Sequence, residues 1–480
     1  VKAPEVLNML RQLLGTRVYD AATHLYFARH DGGNANTAQF LACFEEAAGE
    51  SLEAFSREWL FSAGYPQVAV RYTYDDALRE LHLHLAQTRT GRGGVFTLPF
   101  SFAAVDAKGN DLPGSAQTVR FDTSEVTIVL ADIDEPAFLS LNRDAGFYGT
   151  CTDLSVSPQQ LVRQVRCDSN LFNRVEAMRR LTDLERRRLL ADPLATASEP
   201  WLDLYRHLLL NTLLPDGIRG YLLNIDEQPL DRALLPYVRE SFTLRQRLLR
   251  AVLAGGGESA VFNALHTLES RPATLDLPAA IERRFLKNAL LHLLSASGTV
   301  GAHLALEEML AGAVNITDRL NTLTAIWQSR HGDRHAILAR EGERLRQTPG
   351  GYLGYLQVVG QSPRPDVFDA VAAEECRPTF SLSHPGISRA LYLPLTRNNA
   401  QLWTARGLEW LTQTVTAYAQ VSEYNALRLI APCQAWQSFA PDLRDAVGAA
   451  LRDMRTALNP SKCPSVTGRL DAYLAMGEKE

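Results

Sequence analysis

The chain has 480 residues, enough for large hydrophobic cores and, on length alone, for two to four domains. Its formal net charge of −5 gives no reason to expect nucleic acid or an anionic membrane as partner, and no apolar run approaches the roughly 20 residues that span a bilayer. Cys43, Cys151, Cys167, Cys376, Cys433 and Cys463 are widely spaced with no C-x-x-C, so they read as reduced, mostly structural thiols and make the cytoplasm the expected compartment. The chain opens on Val1 rather than Met, which leaves room for a segment upstream.

Val1 to Gly15 reads as a helix: Pro4 suits its first turn, and Val6, Leu7, Leu10, Leu13 and Leu14 form its apolar stripe. Leu25 to His30 ends a further helix, which Asp31-Gly32-Gly33 breaks. Asn36 or Thr37 can cap the next, Ala38 to Ala48, because their side-chain oxygens satisfy its first free N–H groups. That helix places Phe40, Leu41, Phe44 and Ala48 on one face. Ser51 begins another turn, with Leu52, Phe55, Trp59 and Leu60 at helical spacing, stopped by Gly64 and Pro66.

From Tyr65 the period changes to two. Gln67 to Tyr72 and Leu81 to Leu85 alternate, and Val95 to Ala104, Thr118 to Phe121, Val126 to Leu130 and Phe138 to Leu141 are further strands. Turn signals at Asp75-Asp76, Gly91 to Gly94, Lys108-Gly109-Asn110 and Pro113-Gly114 separate them, so a small antiparallel β-sandwich is expected. His82 and His84 share one strand face; with no third ligand nearby they read as solvent-facing.

From about Ser155 the helical period dominates. Leu161-Val162-Val165, Val175-Met178-Leu181-Leu184 and Leu202-Tyr205-Leu208-Leu209 are apolar faces, and recurrent Pro and Gly breakers imply some fifteen short helices stacked as an α-helical superhelix. Arg179-Arg180 and Arg186-Arg187-Arg188, interspersed with Asp183 and Glu185, read as a solvated helix face.

The stretch Leu25 to Pro66, LYFARHDGGNANTAQFLACFEEAAGESLEAFSREWLFSAGYP, resembles the end of the catalytic domain in aminopeptidase N, a family of gluzincin-type zinc metallopeptidases. Further segments carry the likeness. Lys2 to Val6 stand where that family has a K-G-x-E-V-like pattern just after its catalytic Tyr, which would fall before Val1. Asn173 to Ala177, Arg284-x-x-Lys287-Asn288-Ala289 and Asn315 to Asp318 resemble landmarks of its C-terminal helical domain. The resemblance implies three parts: residues 1–65, the last helices of a thermolysin-like catalytic domain, which would pack on that domain's core; residues 66–152, a β-sandwich; and residues 153–480, a HEAT/ARM-like superhelix. The resembled stretch corresponds to the C-terminal half of such an enzyme, after the zinc motif.

The chemistry of that class needs H-E-x-x-H on a helix, and this chain has none. The nearest mimic, His331-Gly332-Asp333-Arg334-His335, has Gly332 at the base position and reads as an exposed segment between helices. Glu45-Glu46 and Glu307-Glu308 point different ways on a helix, Gly255 to Ser259 lacks the Lys of a phosphate loop, and no G-x-S-x-G elbow occurs. No catalytic or metal-binding residue is therefore expected, and the chain alone should be inactive. Zinc is implied only for the complete enzyme.

Ser383 to Arg389 and Asn425 to Pro432 resemble segments that face the substrate channel in the family, which makes Arg389 and Arg428, with Asn425 beside them, candidate channel residues. A guanidinium can pair bidentately with a peptide carboxylate; a structural salt bridge between helices is the other reading. The resemblance implies an enzyme that removes N-terminal residues from peptides, with this portion enclosing the active site and shaping access. Its partners would be peptide substrates and the upstream catalytic half, in a monomer. A non-catalytic helical-repeat scaffold that binds a peptide or protein is the alternative.

Overall fold

The computed structural model describes residues 2–91, 93–272 and 276–475. Val1, at the start of the first expected helix, Arg92, within the Gly91 to Gly94 turn, and the last five residues lie outside the described residues. The chain divides into two compact units, Val1–Leu181 and Thr182–Glu480.

The first unit opens with α1 (Lys2–Leu14), α2 (Thr16–His30), α3 (Thr37–Ala48) and α4 (Glu53–Trp59). The expected cap is Asn36: its side chain accepts from the Gln39 N–H while Gln39 returns a bond to the Asn36 N–H, each at 2.9 Å, and Gly49 ends the helix in the left-handed conformation. Leu52, Phe55 and Trp59 are buried as expected, but Leu60 is 39% exposed and so is off the apolar face.

Strands β1 (Pro66–Asp75), β2 (Glu80–Arg89), β3 (Leu98–Val105), β4 (Gln117–Phe121), β5 (Glu125–Leu130), β6 (Phe138–Leu141) and β7 (Thr150–Asp153) follow. They form two sheets, ordered β5-β2-β1-β7 and β4-β3-β6. The β1–β2 hairpin pairs Gln67 with Thr88 and Asp75 with Glu80, so Val68, Val70, Leu81, Leu83 and Leu85 all face inward. Its turn is held by Asp75, whose Oδ1 accepts from the N–H groups of Ala77 and Leu78 at 3.0 and 3.1 Å. β7 was not expected. It is four residues with little apolar content, too short for an alternating signal, and it pairs parallel to β1, Val68 opposite Cys151.

One apolar cluster serves the whole first unit. Met9 and Leu10 of α1, Phe44 of α3 and Trp59 of α4 are buried with Val70, Leu83, Phe96, Phe100 and Phe147 of the sandwich. Trp59 donates from Nε1 to the Thr97 carbonyl at 2.7 Å, and Glu58 accepts from the Thr97 N–H at 2.7 Å. The sandwich thus covers part of the apolar faces of α1–α4, while Leu7 of α1 and Phe27 of α2 remain exposed. Gly109, at φ 92°, explains one tight turn, since a Cβ there would lie 2.1 Å from the Cys167 carbonyl oxygen.

All the α-helices among the described residues except α1–α4 lie beyond residue 155, eighteen of them, somewhat more than the fifteen expected because several are only one or two turns long. The division between units falls within the helix Leu171–Ala191. In the second unit, Leu277–Ser295 packs on Asp216–Leu223 and on Ile316–Gln328, and Pro349–Val359 packs on Pro385–Thr396. At the first crossing Gly220 allows the approach, because a Cβ would meet the Phe285 ring at 2.5 Å.

Two sequence expectations fail here for one physical reason, the pairing of buried charge. Arg186, Asp183 and Glu185 are buried rather than solvated; Arg186 and Asp183 pair at 2.5 Å, one turn apart, while Leu184 is exposed. His331 is likewise buried, bonded through Nε2 to Glu307 at 2.8 Å, so the segment it opens is not simply exposed.

Candidate functional site

Several landmark residues of the helical array are structural, while Asn288 and Ala289 line a cavity. Lys287 is buried between Glu269 and Asp318, at 2.5 and 3.4 Å. Asp318 is fixed in turn by Asn315, which caps Ile316–Gln328. Arg319 pairs with Glu341 at 2.7 Å with both side chains buried. These residues hold helix to helix and leave the chemistry elsewhere.

Two adjoining cavities lie within the second unit. The larger, of about 1050 Å³, is lined by Arg245, Glu227, His292, Phe285, Trp403 and Phe439 among others. The smaller, of about 550 Å³, is lined by Arg389, Arg397, Arg428, Gln357 and Gln361. Glu227, Gln328 and Arg397 belong to both walls, so the spaces meet there. The structure therefore brings Arg389 and Arg428 to one cavity, from the helices Pro385–Thr396 and Glu423–Leu429. It does not bring Asn425 to that lining. Asn425 is 3% exposed, and its Oδ1 is buried with no hydrogen-bond partner.

Neither Arg389 nor Arg397 has a side-chain ion pair or hydrogen bond among the described residues, and Arg428 stands over the Tyr424 ring at 6.0 Å. Their guanidinium donors are thus left open in a wall that also holds Glu227, which suits the binding of carboxylate or carbonyl oxygen. In the larger cavity burial pushes the Glu227 carboxyl up, against the pull of Arg245 and Arg186. Burial also lowers the Arg245 guanidinium, and it depresses His292, next to the same Arg245, to about 3.

Sequence reasoning missed Arg397, Arg245 and Glu227. A signal for Arg245 was available: on Ser241–Leu253 it lies in the stripe of Leu244, Leu248, Leu249 and Val252, where an arginine is out of place unless it faces a partner or a cavity. Glu227 lies between helices and has no periodicity to betray it.

Zinc finds no ligand set here. Among the described residues no group of three His, Cys, Asp or Glu is placed to hold a metal ion. His331 is engaged by Glu307, whereas His335 reaches Asp366 at 2.9 Å, so the two do not converge. His82 and His84 bond to Glu80 and Thr127 at 3.1 and 2.9 Å. Cys433 is buried and its thiol is pushed up to about 12, the reverse of a reactive or metal-binding cysteine.

Fold and cavities define a helical-repeat protein that carries a small immunoglobulin-like sandwich. Residues 158–463 match the family described as "Domain of unknown function (DUF3458_C) ARM repeats", and residues 64–152 match "Domain of unknown function (DUF3458) Ig-like fold". The chain belongs to the DUF3458_C ARM-repeat family. It is 27% identical over 476 residues to aminopeptidase N of Caulobacter vibrioides, covering 96% of this chain and 54% of that protein. To aminopeptidase N of Escherichia coli it is 24% identical over 511 residues, covering 96% and 55%. The chain thus spans about half the length of the curated relatives it matches, as the resemblance to a C-terminal half of aminopeptidase N requires. Its fold is shared by the crystal structure of Legionella pneumophila aminopeptidase A in complex with aspartic acid, with a TM-score of 0.85 at 17% identity, over 99% of this chain and 56% of that one. No helix among the described residues is long and apolar enough to cross a membrane.

Proposed function

We propose that this chain is the C-terminal portion of a zinc-dependent aminopeptidase, with its helical array shaping access to an active site carried by an upstream catalytic half. The observation that carries this reading is the match of 96% of the chain to proteins named aminopeptidase N. In this reading residues 1–65 are the tail of the catalytic domain, residues 66–152 a spacer sandwich and residues 153–480 the access domain of a cytoplasmic monomer. Arg389 and Arg428 would meet the carboxyl-terminal side of a peptide entering the smaller cavity, and Arg397 adds a third cation beside them. Asn425, buried one turn from Arg428, would hold the helix that presents it.

The test uses the complete gene product and the 480-residue chain side by side. The complete protein should contain one zinc per chain and hydrolyse an alanine-amide chromogenic substrate, while the 480-residue chain should do neither. Arg389→Met with Arg428→Met should raise KM for peptides about tenfold, with little change for the short alanine amide, which does not reach the cavity. A complete reading frame without a zinc motif would sink the proposal in favour of a peptide-binding scaffold.

A further inference from the structure

Arg245 is 6% exposed and lines the larger cavity. Its Nε donates to the Ile225 carbonyl at 2.6 Å, and its terminal nitrogens have no hydrogen-bond partner among the described residues. Glu227 lines the same cavity, yet no ion pair joins it to Arg245. A buried guanidinium with open N–H groups costs stability unless something completes it, while Glu227 has the Asn399 side chain as a hydrogen-bond partner and feels Arg245 and Arg186. Leu244, Phe285, Trp403 and Phe439 give part of the wall an apolar and aromatic character, beside further charged residues that include Arg186, Asp226 and Arg397. The volume of about 1050 Å³ lies at the upper end of small-ligand sites, room for an amino acid or a short peptide and too little for a folded partner.

Opposite charges held apart within one partly apolar space select a ligand that carries both. A plain anion would satisfy Arg245 and be repelled by Glu227; a plain cation would do the reverse. We propose that the larger cavity binds a small zwitterion, a free α-amino acid or short peptide with an apolar side chain, its carboxylate on Arg245 and its ammonium on Glu227. The proposal goes beyond the reading above, because it needs neither zinc nor a catalytic half.

Isothermal titration calorimetry of the 480-residue chain tests it, with L-leucine and leucyl-leucine as probes and leucinamide and N-acetyl-leucine as analogues that each lack one charge. Saturable binding of a zwitterion is expected, with each analogue roughly tenfold weaker or worse, the loss of one charge-assisted contact. Tighter binding of leucine than of leucyl-leucine would mark an amino-acid site; the opposite order would mark a peptide site. Glu227→Gln should weaken leucine and leucinamide about tenfold each, while N-acetyl-leucine, which has no ammonium, binds the variant as it binds the parent. Arg245→Met should abolish binding; should that variant not fold, Glu227→Gln and the two analogues decide alone. No saturable heat for either zwitterion up to about 10 mM, analogues that bind as well as leucine, or an unaltered Glu227→Gln would each overturn the proposal.

Discussion

Residues 2–181 bury mainly hydrocarbon, with Asp168 and Arg174 among their few buried charges, whereas residues 182–475 bury many charges, several of them paired across helices. In the first unit Met9, Phe44, Trp59, Phe96, Phe100 and Phe147 belong to one apolar cluster that helices and sheets share. In the second, Arg186 and Asp183, Arg319 and Glu341, and Arg346 and Glu374 are paired with little exposure, and Arg245 lines a cavity with its terminal donors open. The contrast teaches where function can reside. A closed apolar core contributes stability and little else, while buried ion pairs are poor stabilisers that fix one arrangement of helices around a space. The second unit spends stability to keep its cavities polar and placed.

Two substitutions would sharpen that contrast. Trp59→Ala should cost about 4 kcal/mol in urea unfolding, because it opens a cavity at 1% exposure and strands the Thr97 carbonyl. Glu341→Ala should cost about 3 kcal/mol by leaving Arg319 buried and unpaired. The double change Arg319→Met with Glu341→Leu should recover most of the second loss and none of the first. Should the double change be as costly as Glu341→Ala, the ion pair would be a stabiliser in its own right and the comparison would fail.

Acid should act on the second unit through His292. Its folded value of about 3 lies below the ordinary 6.5, so between these values the unfolded chain holds a proton that the folded chain does not. Stability is therefore full above about pH 6.5 and falls as pH drops toward 3, by at most about 1.4 kcal/mol per unit. His292 is half-buried beside the cavity, and water there will make the slope shallower than that limit. Comparing unfolding of His292→Gln with the parent at pH 7 and pH 5 checks this; identical losses in both would remove His292 as the cause.

The same contrast explains what the sequence discloses. The first unit is read well from periodicity, since Val68, Val70, Leu81, Leu83 and Leu85 alternate as its pleat demands and Asn36 announces α3. Only β7 escapes, being four residues that pair through backbone alone with no apolar pattern. In the second unit periodicity finds the helices and misassigns their charged faces. Arg186, Asp183 and Glu185 look like solvated charges because burial of a charge depends on a partner, which periodicity does not reveal. The smaller cavity was partly legible, through the resemblance of the segments bearing Arg389 and Arg428; Arg397 and Glu227, at helix ends and between helices, were not.

The smallest effect serves as a control on the largest. Asn36 caps α3 in the first unit, and Thr404 caps Ala405–Ala419 in the second by accepting from the Gly407 N–H at 3.1 Å. Both bonds satisfy a helix's first free N–H groups, so neither depends on what its unit buries. Asn36→Ala and Thr404→Ala should each cost about 1 kcal/mol in the same urea experiment. Near equality would show that local helix ends behave alike in both units, so that the difference between Trp59→Ala and Glu341→Ala belongs to the cores. A markedly larger loss for Thr404→Ala would trace to its second bond, from Oγ1 to the carbonyl of Gln401 at 2.7 Å, since Gln401, in the preceding short helix Asn399–Leu402, also holds the Pro363 carbonyl of the smaller cavity's wall. In that case a cap in the second unit, too, would be part of what keeps the cavity in shape.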